Sequence, residues 1–360
     1  MMKTEPVVFA VHDTYHIMVP VTTESMMWVK IGEKEYYDES NGIMRSRTRI
    51  HRMIVPRKEL NEAKSYTICE EEIVERKAYY TETGEITETT FAFRPVKNGP
   101  VRCYHISDTH NKSVEPVQAA KTYGEIDFLI MNGDIPDSSD KIEYFDTIYE
   151  IAAGVTHGQI PVVFARGNHD LRGLCAEMIA DYTPNENGLT YYSFRIGDIW
   201  GIALDCAEDK DDTSVEYGHT VRCHAFRERQ TAFIKRVIAD KEYLEPGVKR
   251  RIVVVHNPFT MRHKGIFDIE TETYSEWARL LKEHIKPDVM ICGHMHYLDI
   301  HMPGCEQDNL GQPCPVIVGA TVKYKEPYFA GAGIEFGEDE VVVSFTDNEG
   351  ATLGVHTIKL

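Results

Sequence analysis

The sequence predicts an α/β fold in which a larger α/β domain follows a small all-β sandwich domain. Three observations lead to this fold class. Short β-type segments fill the first part of the chain, a linker with proline and glycine follows, and apolar strand-like runs then alternate with helical stretches. Because 360 residues exceed one average domain, we expect two domains, at residues 1–97 and 98–360.

The N-terminal domain is predicted from short alternating or β-branched segments. Turn-forming sequences such as GEK, SNG and ETGE separate them, and the segments include HIMVPVTT, MMWVKI, TRIHRMIVP and ETTFAFRPV. Regularly spaced short strands without a convincing helix are typical of a small β-sandwich. The segment PVKNGP (95–100) is the predicted linker.

The second domain is predicted from a change of pattern after the linker. Five apolar runs are expected to be strands, at 101–107, 128–132, 161–165, 251–256 and 289–292. Helical patterns and two more strands lie between them, the helices near 114–123, 141–153, 226–239 and 275–284 and the strands at 191–196 and 199–204. Apolar strands that alternate with helices indicate a βαβ sheet covered on both faces.

The charge of the chain limits its partners. Lys and Arg number 39 and Asp and Glu number 57, which gives a formal net charge of −18. Such an acidic surface repels nucleic acids and anionic membranes, so neither is an expected partner, although a local cluster of cations can still attract a small anionic substrate. No residue pattern in the N-terminal domain identifies a protein partner.

The location of the protein is predicted from its cysteines and from its N-terminus. The sequence has neither a signal-peptide pattern nor an apolar run long enough to span a bilayer. The eight cysteines are scattered without a CxxC motif, which is typical of free thiols in a reducing compartment. We therefore expect a cytoplasmic protein, in which a disulfide between Cys305 and Cys314 is disfavoured although their spacing would permit it.

Polar residues follow five of the predicted strands. Because ligands bind at the carboxyl ends of strands in α/β sheets, these residues are expected to meet at one edge. They are all potential metal ligands: Asp108, His110, Asp134, Asn168, His256, His294 and His296.

The types of these residues indicate the kind of metal. Carboxylate, amide oxygen and imidazole ligands without a thiolate suit Mn, Fe, Zn or Co. Seven donors are too many for one tetrahedral ion, so we expect two divalent or trivalent transition-metal ions, with Asp134 as the obvious candidate for a bridging ligand.

The ordered motifs resemble those of the calcineurin-like metallophosphoesterase family over about residues 102–301. They are D-x-H at Asp108, G-D at Asp134, G-N-H-D around Asn168, a single His256, and G-H-x-H ending at His296. The resemblance implies a two-sheet α/β sandwich.

The resemblance also implies a division of roles. One metal would be held by Asp108, His110, Asp134 and His296, and the other by Asp134, Asn168, His256 and His294. His169 would face the scissile phosphate as a general acid or charge stabiliser.

The predicted N-terminal sandwich is similar to the fibronectin-III-like domain that precedes the catalytic domain of purple acid phosphatases. Their G-D-x-x-Y motif supplies a metal-binding tyrosine, whereas Asp137 stands at that position here, and their first motif typically lacks the histidine present here as His110. The sequence therefore does not predict a tyrosinate–iron centre.

Several other residues allow two interpretations. Arg166 is a candidate substrate-binding residue that could bind phosphate bidentately, but it could equally form a structural ion pair. Asp170 could orient a neighbour or start a helix. For His219, His224 and His263, solvated loop positions are the commoner outcome, although they could also overhang the cleft.

The leading functional hypothesis is a dinuclear metal-dependent phosphoesterase, either a phosphatase or a phosphodiesterase. A hydroxide bridging the metals would attack a small phosphomonoester or phosphodiester, and His169 would assist. The alternative is a binding or scaffold protein of the same fold that has lost catalysis. A degenerate member would be expected to lack ligands or the acid, whereas every motif position is occupied here.

Overall fold

Twenty-two strands and six α-helices make up the chain, for which the computed structural model describes residues 1–360. The strands are β1 (Val7–Val11), β2 (Thr14–Pro20), β3 (Ser25–Ile31), β4 (Lys34–Tyr37), β5 (Glu39–Ser40), β6 (Ile43–Met44), β7 (Ile50–Pro56), β8 (Ser65–Arg76), β9 (Thr81–Ala92), β10 (Val101–Ile106), β11 (Phe128–Asn132), β12 (Pro161–Ala165), β13 (Tyr192–Ile196), β14 (Ile199–Leu204), β15 (Arg250–Val255), β16 (Val289–Cys292), β17 (Leu298–His301), β18 (Val316–Gly319), β19 (Thr321–Lys323), β20 (Tyr328–Phe336), β21 (Glu340–Asp347) and β22 (Thr352–Lys359). The helices are α1 (Arg57–Ala63), α2 (Val114–Tyr123), α3 (Asp146–Thr156), α4 (Ile179–Tyr182), α5 (Cys223–Asp240) and α6 (Thr271–Leu280).

Two large mixed sheets form the core of the molecule. The first has ten strands in the order β22-β21-β20-β10-β11-β12-β1-β2-β7, with β19 paired to β20. The second has six strands in the order β13-β14-β15-β16-β18-β17. Side chains from the facing sides of both sheets, such as Val163 and Val254, share one apolar core. The predicted two-sheet α/β fold is confirmed.

Helices cover the outer face of each sheet. Residues of α2 and α3 pack in one apolar cluster with the outer face of the first sheet, and residues of α5 and α6 pack with that of the second. The predicted central strands β10, β11, β12, β15 and β16 agree with the structure within a residue or so at each end. The arrangement buries apolar side chains on both faces of these strands, which explains their nearly continuous apolar sequences.

The N-terminal region differs from the prediction in how its strands pair. Strands β3, β4, β8 and β9 form a small antiparallel sheet, so the predicted β-rich region is present. However, β1, β2 and β7 belong to the ten-stranded sheet, where β1 pairs in parallel with β12 through Val8 and Pro161. The expected division into domains at 1–97 and 98–360 is therefore wrong in one respect, because strands from both ranges pair within the ten-stranded sheet. Alternation of residues identifies strands but not their partners.

The cysteines and helices bear on two further expectations. All eight cysteines are free, so Cys305 and Cys314 form no disulfide. No helix combines the length and the apolar character that crossing a membrane requires.

Candidate metal centre

The seven candidate ligands are brought to one edge shared by both sheets. They occupy the loops that follow five strands: Asp108 and His110 follow β10, Asp134 follows β11, Asn168 follows β12, His256 follows β15, and His294 and His296 follow β16. The convergence arises because β10, β11 and β12 run in parallel, as do β15 and β16.

The first group of donors consists of Asp108, His110 and His296, whose ligand atoms all lie within 4.8 Å of one another. His296 Nε2 lies 3.1 Å from Asp108 Oδ1, and 3.3 Å separate it from His110 Nε2. The other ring nitrogen of His110, Nδ1, lies 3.0 Å from Asp137 Oδ1. The Asp137 contact fixes the ring orientation and leaves Nε2 for a metal.

The second group consists of Asp134, His256 and His294, again with ligand atoms within 4.8 Å. His256 Nε2 lies 3.2 Å from Asp134 Oδ2, while His256 Nδ1 lies 2.7 Å from the carbonyl oxygen of Asn132. The side-chain amide of Asn168 lies 3.0 Å from His294 Nδ1 and joins this group. The assigned bridging role of Asp134 stays a prediction.

The backbone at these positions is unusual. Five candidate ligands have a positive φ between 46° and 68°: Asp108, His110, Asp134, His294 and His296. Residues other than glycine rarely adopt this conformation, and such conformations cluster at functional sites because the surrounding structure must offset their strain. The local backbone is thus held in a state that aims these side chains at one point.

Close backbone contact between two loops adds to this arrangement. Gly133 has φ +76°, and a Cβ atom there would lie 2.4 Å from the backbone nitrogen of Gly167. Only glycine allows the loops that carry Asp134 and Asn168 to approach so closely. This close approach explains why the G-D and G-N-H-D motifs both contain a glycine here.

The buried charges test whether metal ions fit the site. Asp108 and Asp134 are 0% and 1% exposed, and their only ion-pair partners are histidines. Buried carboxylates are costly unless a cation or hydrogen bonds compensate them. Two groups of nitrogen and oxygen donors, each with a buried carboxylate that pairs only with histidines, fit two transition-metal ions.

The pKa shifts show the same need for positive charge. Burial opposes a charged His256, but the carboxylates of Asp134 and Asp108 outweigh burial and raise the pKa of His256 to about 10. Burial and the nearby charge of His256 lower the pKa of His294 to about 4. The site thus holds a proton on one histidine in place of a cation, and metal binding would compete with that proton.

His169 lies beside both groups without joining either of them. Its Nδ1 lies 2.8 Å from the backbone carbonyl oxygen of Asp137, and its backbone nitrogen donates to Asp134 Oδ1 at 2.8 Å. Its Nε2 is 4.0 Å from Asp134 Oδ2 and 3.2 Å from Arg172 Nη1. Donation of the Nδ1 proton to the carbonyl directs Nε2 into the site.

A third possible grouping includes His169. Ligand atoms of His110, Asp137 and His169 also lie within 4.8 Å of one another. Its carboxylate, Asp137, is exposed, whereas each of the first two groups contains a fully buried carboxylate. We therefore keep the first two groups as the candidate metal ligands.

Three residues at the site were missed by sequence analysis as contributors. Tyr324 places its hydroxyl 3.3 Å from His110 Nε2 and 3.3 Å from His296 Nδ1. Asp137 contacts His110, and Arg172 contacts His169. The distance of three residues from Asp134 could have drawn attention to Asp137, whereas no local signal indicates Tyr324, which follows β19.

Arg166 shows the structural alternative to its assigned substrate-binding role. Its Nε lies 2.7 Å from Oδ2 of the buried Asp205, and its guanidinium stacks 5.3 Å from the ring centre of Phe226. Arg172 is also paired, with Glu208 at 3.0 Å and Asp209 at 3.1 Å. A direct phosphate contact by Arg166 thus stays a prediction, while its ion pair is observed.

Asp170 stabilises the turn that carries Asn168 and His169. Its buried carboxylate accepts a hydrogen bond from the backbone nitrogen of Gly167 at 2.7 Å. Burial, together with the charge of Asp134, raises the pKa of Asp170 to about 7. This contact favours the interpretation that Asp170 orients its neighbours.

The three other histidines considered from sequence have different positions. His219 is exposed, and His224 pairs with Glu270 at 2.9 Å. His263 packs edge-on against His294 with ring centres 5.9 Å apart. Of the three, His263 is the one in contact with a candidate ligand.

Comparison with known proteins supports the same interpretation of the motifs. A family model described as Calcineurin-like phosphoesterase matches residues 101–298. A purple acid phosphatase, PPD1 from yellow lupin (Lupinus luteus) seeds, superposes with a TM-score of 0.61 at 14% identity, covering 98% of this chain and 74% of that one. PhoD superposes with a TM-score of 0.57 at 10% identity, covering 99% and 88%. A search of curated protein sequences finds no match.

Proposed function

The chain belongs to the calcineurin-like phosphoesterase family, and on that premise we propose that it is a dinuclear metal-dependent phosphoric ester hydrolase. The substrate is a small phosphomonoester or phosphodiester. The observation that carries this proposal is the pair of donor groups built around Asp108 and Asp134, two buried carboxylates without a lysine or arginine partner.

The residues support an assignment of two metal sites. His110 and His296 join Asp108 in one site, and Asn168, His256 and His294 join Asp134 in the other. Two ions held there would supply Lewis-acid polarisation of the phosphoryl oxygens and would lower the pKa of water. The nitrogen- and oxygen-rich donor set is suited to Mn, Fe, Zn or Co.

His169 is proposed to protonate the leaving group. Its Nδ1 is occupied by the carbonyl oxygen of Asp137 at 2.8 Å, so Nε2 is the atom that transfers a proton. Arg172 Nη1 lies 3.2 Å from Nε2 and orients the His169 ring. The departing alkoxide is placed on this side of the site.

The test combines metal analysis with a substrate panel. Purified protein is reconstituted with each candidate metal and assayed on p-nitrophenyl phosphate, bis-p-nitrophenyl phosphate and cyclic nucleotides. We expect two ions per chain and turnover of at least one ester class. The matched control is Asp299→Ala, which removes an exposed carboxylate that belongs to none of the donor groups.

The outcome distinguishes the enzyme from the scaffold alternative. Saturation at one ion with full activity contradicts the dinuclear assignment. Two bound ions without turnover of any ester favour a binding protein of this fold.

A further inference from the structure

A cavity of about 700 Å³ opens beside the chain segment that follows His169. Its walls come from the segment 171–177 after His169, the segment 216–222 and the first turns of α5. Arg172 belongs both to this wall and to the catalytic site, since its Nη1 lies 3.2 Å from His169 Nε2. The cavity is therefore on the side of the site where the leaving group of an ester would lie.

The size and lining of the cavity fit an organic group. Pockets of about 300–1,000 Å³ typically hold small-molecule ligands. Leu171, Leu174, Val221 and Phe226 supply apolar surface, and Leu174 is 89% exposed. An exposed leucine at the mouth of a cavity gains stability when an apolar ligand covers it.

Arginines give the cavity a charge opposite to that of the whole protein. Four of them line it, and two are neutralised by buried acids, as described for Arg166 and Arg172. The other two form no ion pair with a carboxylate. Arg222 donates to the backbone oxygens of His219 and Val221 at 3.2 and 2.7 Å, and Arg229 lies 5.8 Å from the ring centre of Phe226.

Acidic side chains do not cancel this charge. Two glutamates also line the cavity, but Glu216 is paired with Lys210 at 2.8 Å. One negative charge, that of Glu177, is then left to balance the two positive charges of Arg222 and Arg229. In a chain with a net charge of −18, such a surplus of cations marks a place where a second anion is attracted.

We infer that this cavity selects phosphate esters whose leaving group is apolar or aromatic and carries a second anionic group. The inference rests on the proposed function, and it adds the class of substrate. The scissile phosphate lies at the metal centre, the ring of the leaving group contacts Phe226 and its neighbours, and the second anion contacts Arg222 and Arg229.

The test uses aryl phosphates that differ only in a remote charge. 4-(2-Carboxyethyl)phenyl phosphate and 4-(2-aminoethyl)phenyl phosphate have similar leaving groups because the ethylene arm insulates the phenol from the charge. Phenyl phosphate, which has no remote charged group, is the reference. An ester that ends in a phosphonate distinguishes a preference for a second phosphoryl group from a preference for a carboxylate. The methyl diesters of the same phenols test the same preference if the enzyme cleaves diesters.

The expected result is a charge preference that depends on two arginines. Each exposed ion pair is worth about twofold to fivefold, so kcat/KM of the wild-type protein should favour the carboxylate ester over the amine ester by about tenfold or more. The variant Arg222→Ala/Arg229→Ala should bring this ratio close to one and change kcat/KM for phenyl phosphate about twofold or less. Arg236→Ala, an exposed arginine on α5 outside the cavity, should keep the ratio.

The outcomes separate the inference from the proposed function. If phenyl phosphate is hydrolysed but the wild-type ratio is near one, or the double variant keeps the preference, the cavity assignment is overturned. If no ester is hydrolysed, the proposed function fails instead, and calorimetric binding of the corresponding benzylphosphonates to wild-type and double-variant protein decides the cavity assignment. Equal affinities for the carboxylate and amine analogues would overturn it there too.

Discussion

Replacing His169 with alanine separates catalysis from metal binding. The side chain of His169 is 27% exposed, its Nδ1 contacts a carbonyl oxygen, and its Nε2 faces the guanidinium of Arg172. The contact that orients Asp134 comes from the backbone nitrogen of His169, which alanine retains. We therefore expect His169→Ala to fold and to keep two metals per chain.

The magnitude follows from the role proposed for Nε2. A positioned general acid contributes about 10²–10⁴ in rate, which corresponds to about 3–5 kcal/mol of transition-state stabilisation. kcat for phenyl phosphate should fall by that factor in His169→Ala. The loss should be smaller for p-nitrophenyl phosphate, because p-nitrophenolate departs with little protonation.

The assay measures metal content by mass spectrometry and kcat for both esters, or for their methyl diesters, on the same preparations. His284→Ala, which removes a histidine that belongs to none of the donor groups, is the control and should behave as the wild type. Loss of an ion from His169→Ala would show that the grouping of His110, Asp137 and His169 binds metal. An equal slowing of both esters would refute the leaving-group acid.

Four other expectations concern the metals and the scaffold. Asp134→Ala should hold fewer than two ions per chain in metal analysis, whereas Asp299→Ala should hold two. Tyr324→Phe removes a hydroxyl next to two candidate ligands, so the metal affinity of this variant, measured by chelator competition, should be about 10–100-fold lower than that of the wild type. The iron-loaded wild type should show no tyrosinate band in its visible spectrum. In the metal-free protein His256 has a pKa of about 10 against 6.5 for a free histidine. Its contribution to stability should therefore be complete below pH 6.5 and lost as the pH rises through 10. Between these pH values the melting temperature should fall less for His256→Gln than for the wild type. Deletion of residues 1–97 should expose the edge of β12 and cause aggregation in light scattering, and a monomeric, metal-loaded truncated protein would contradict this.

The candidate ligands could be predicted because each depends on a short local pattern. An apolar run that ends in a polar motif identifies a strand and its carboxyl end, and sheet geometry then brings such ends together. Asp108, Asp134 and His256 illustrate this, since each lies within two residues of a strand end. The positive φ at Asp108 and Asp134 could not be foreseen, because side-chain type does not determine it.

Contacts between distant loops could not be predicted in this way. Tyr324 contacts His110 across 214 positions of sequence. Arg166 pairs with Asp205, which lies in the loop after β14 of the other sheet. The sequence leaves both outcomes for Arg166 open, because an arginine can reach either a substrate phosphate or a nearby acid. Its partner depends on where the loop after β14 places a carboxylate.

The placement of β1 follows from a sequence signal that alternation alone does not reveal. VVFAV (Val7–Val11) is a continuous apolar run with every residue buried, which is typical of a strand covered on both faces rather than of a sandwich strand with one solvent face. One of its two partners is β12, the strand that leads into the turn with Asn168 and His169. Just beyond β1, the backbone nitrogen of His12 donates to the carbonyl oxygen of Ser193 at 2.7 Å, which links this strand to the second sheet. Because β1 holds β12 on one side and contacts the opposite sheet at its end, the start of the chain belongs to the scaffold that positions the candidate acid.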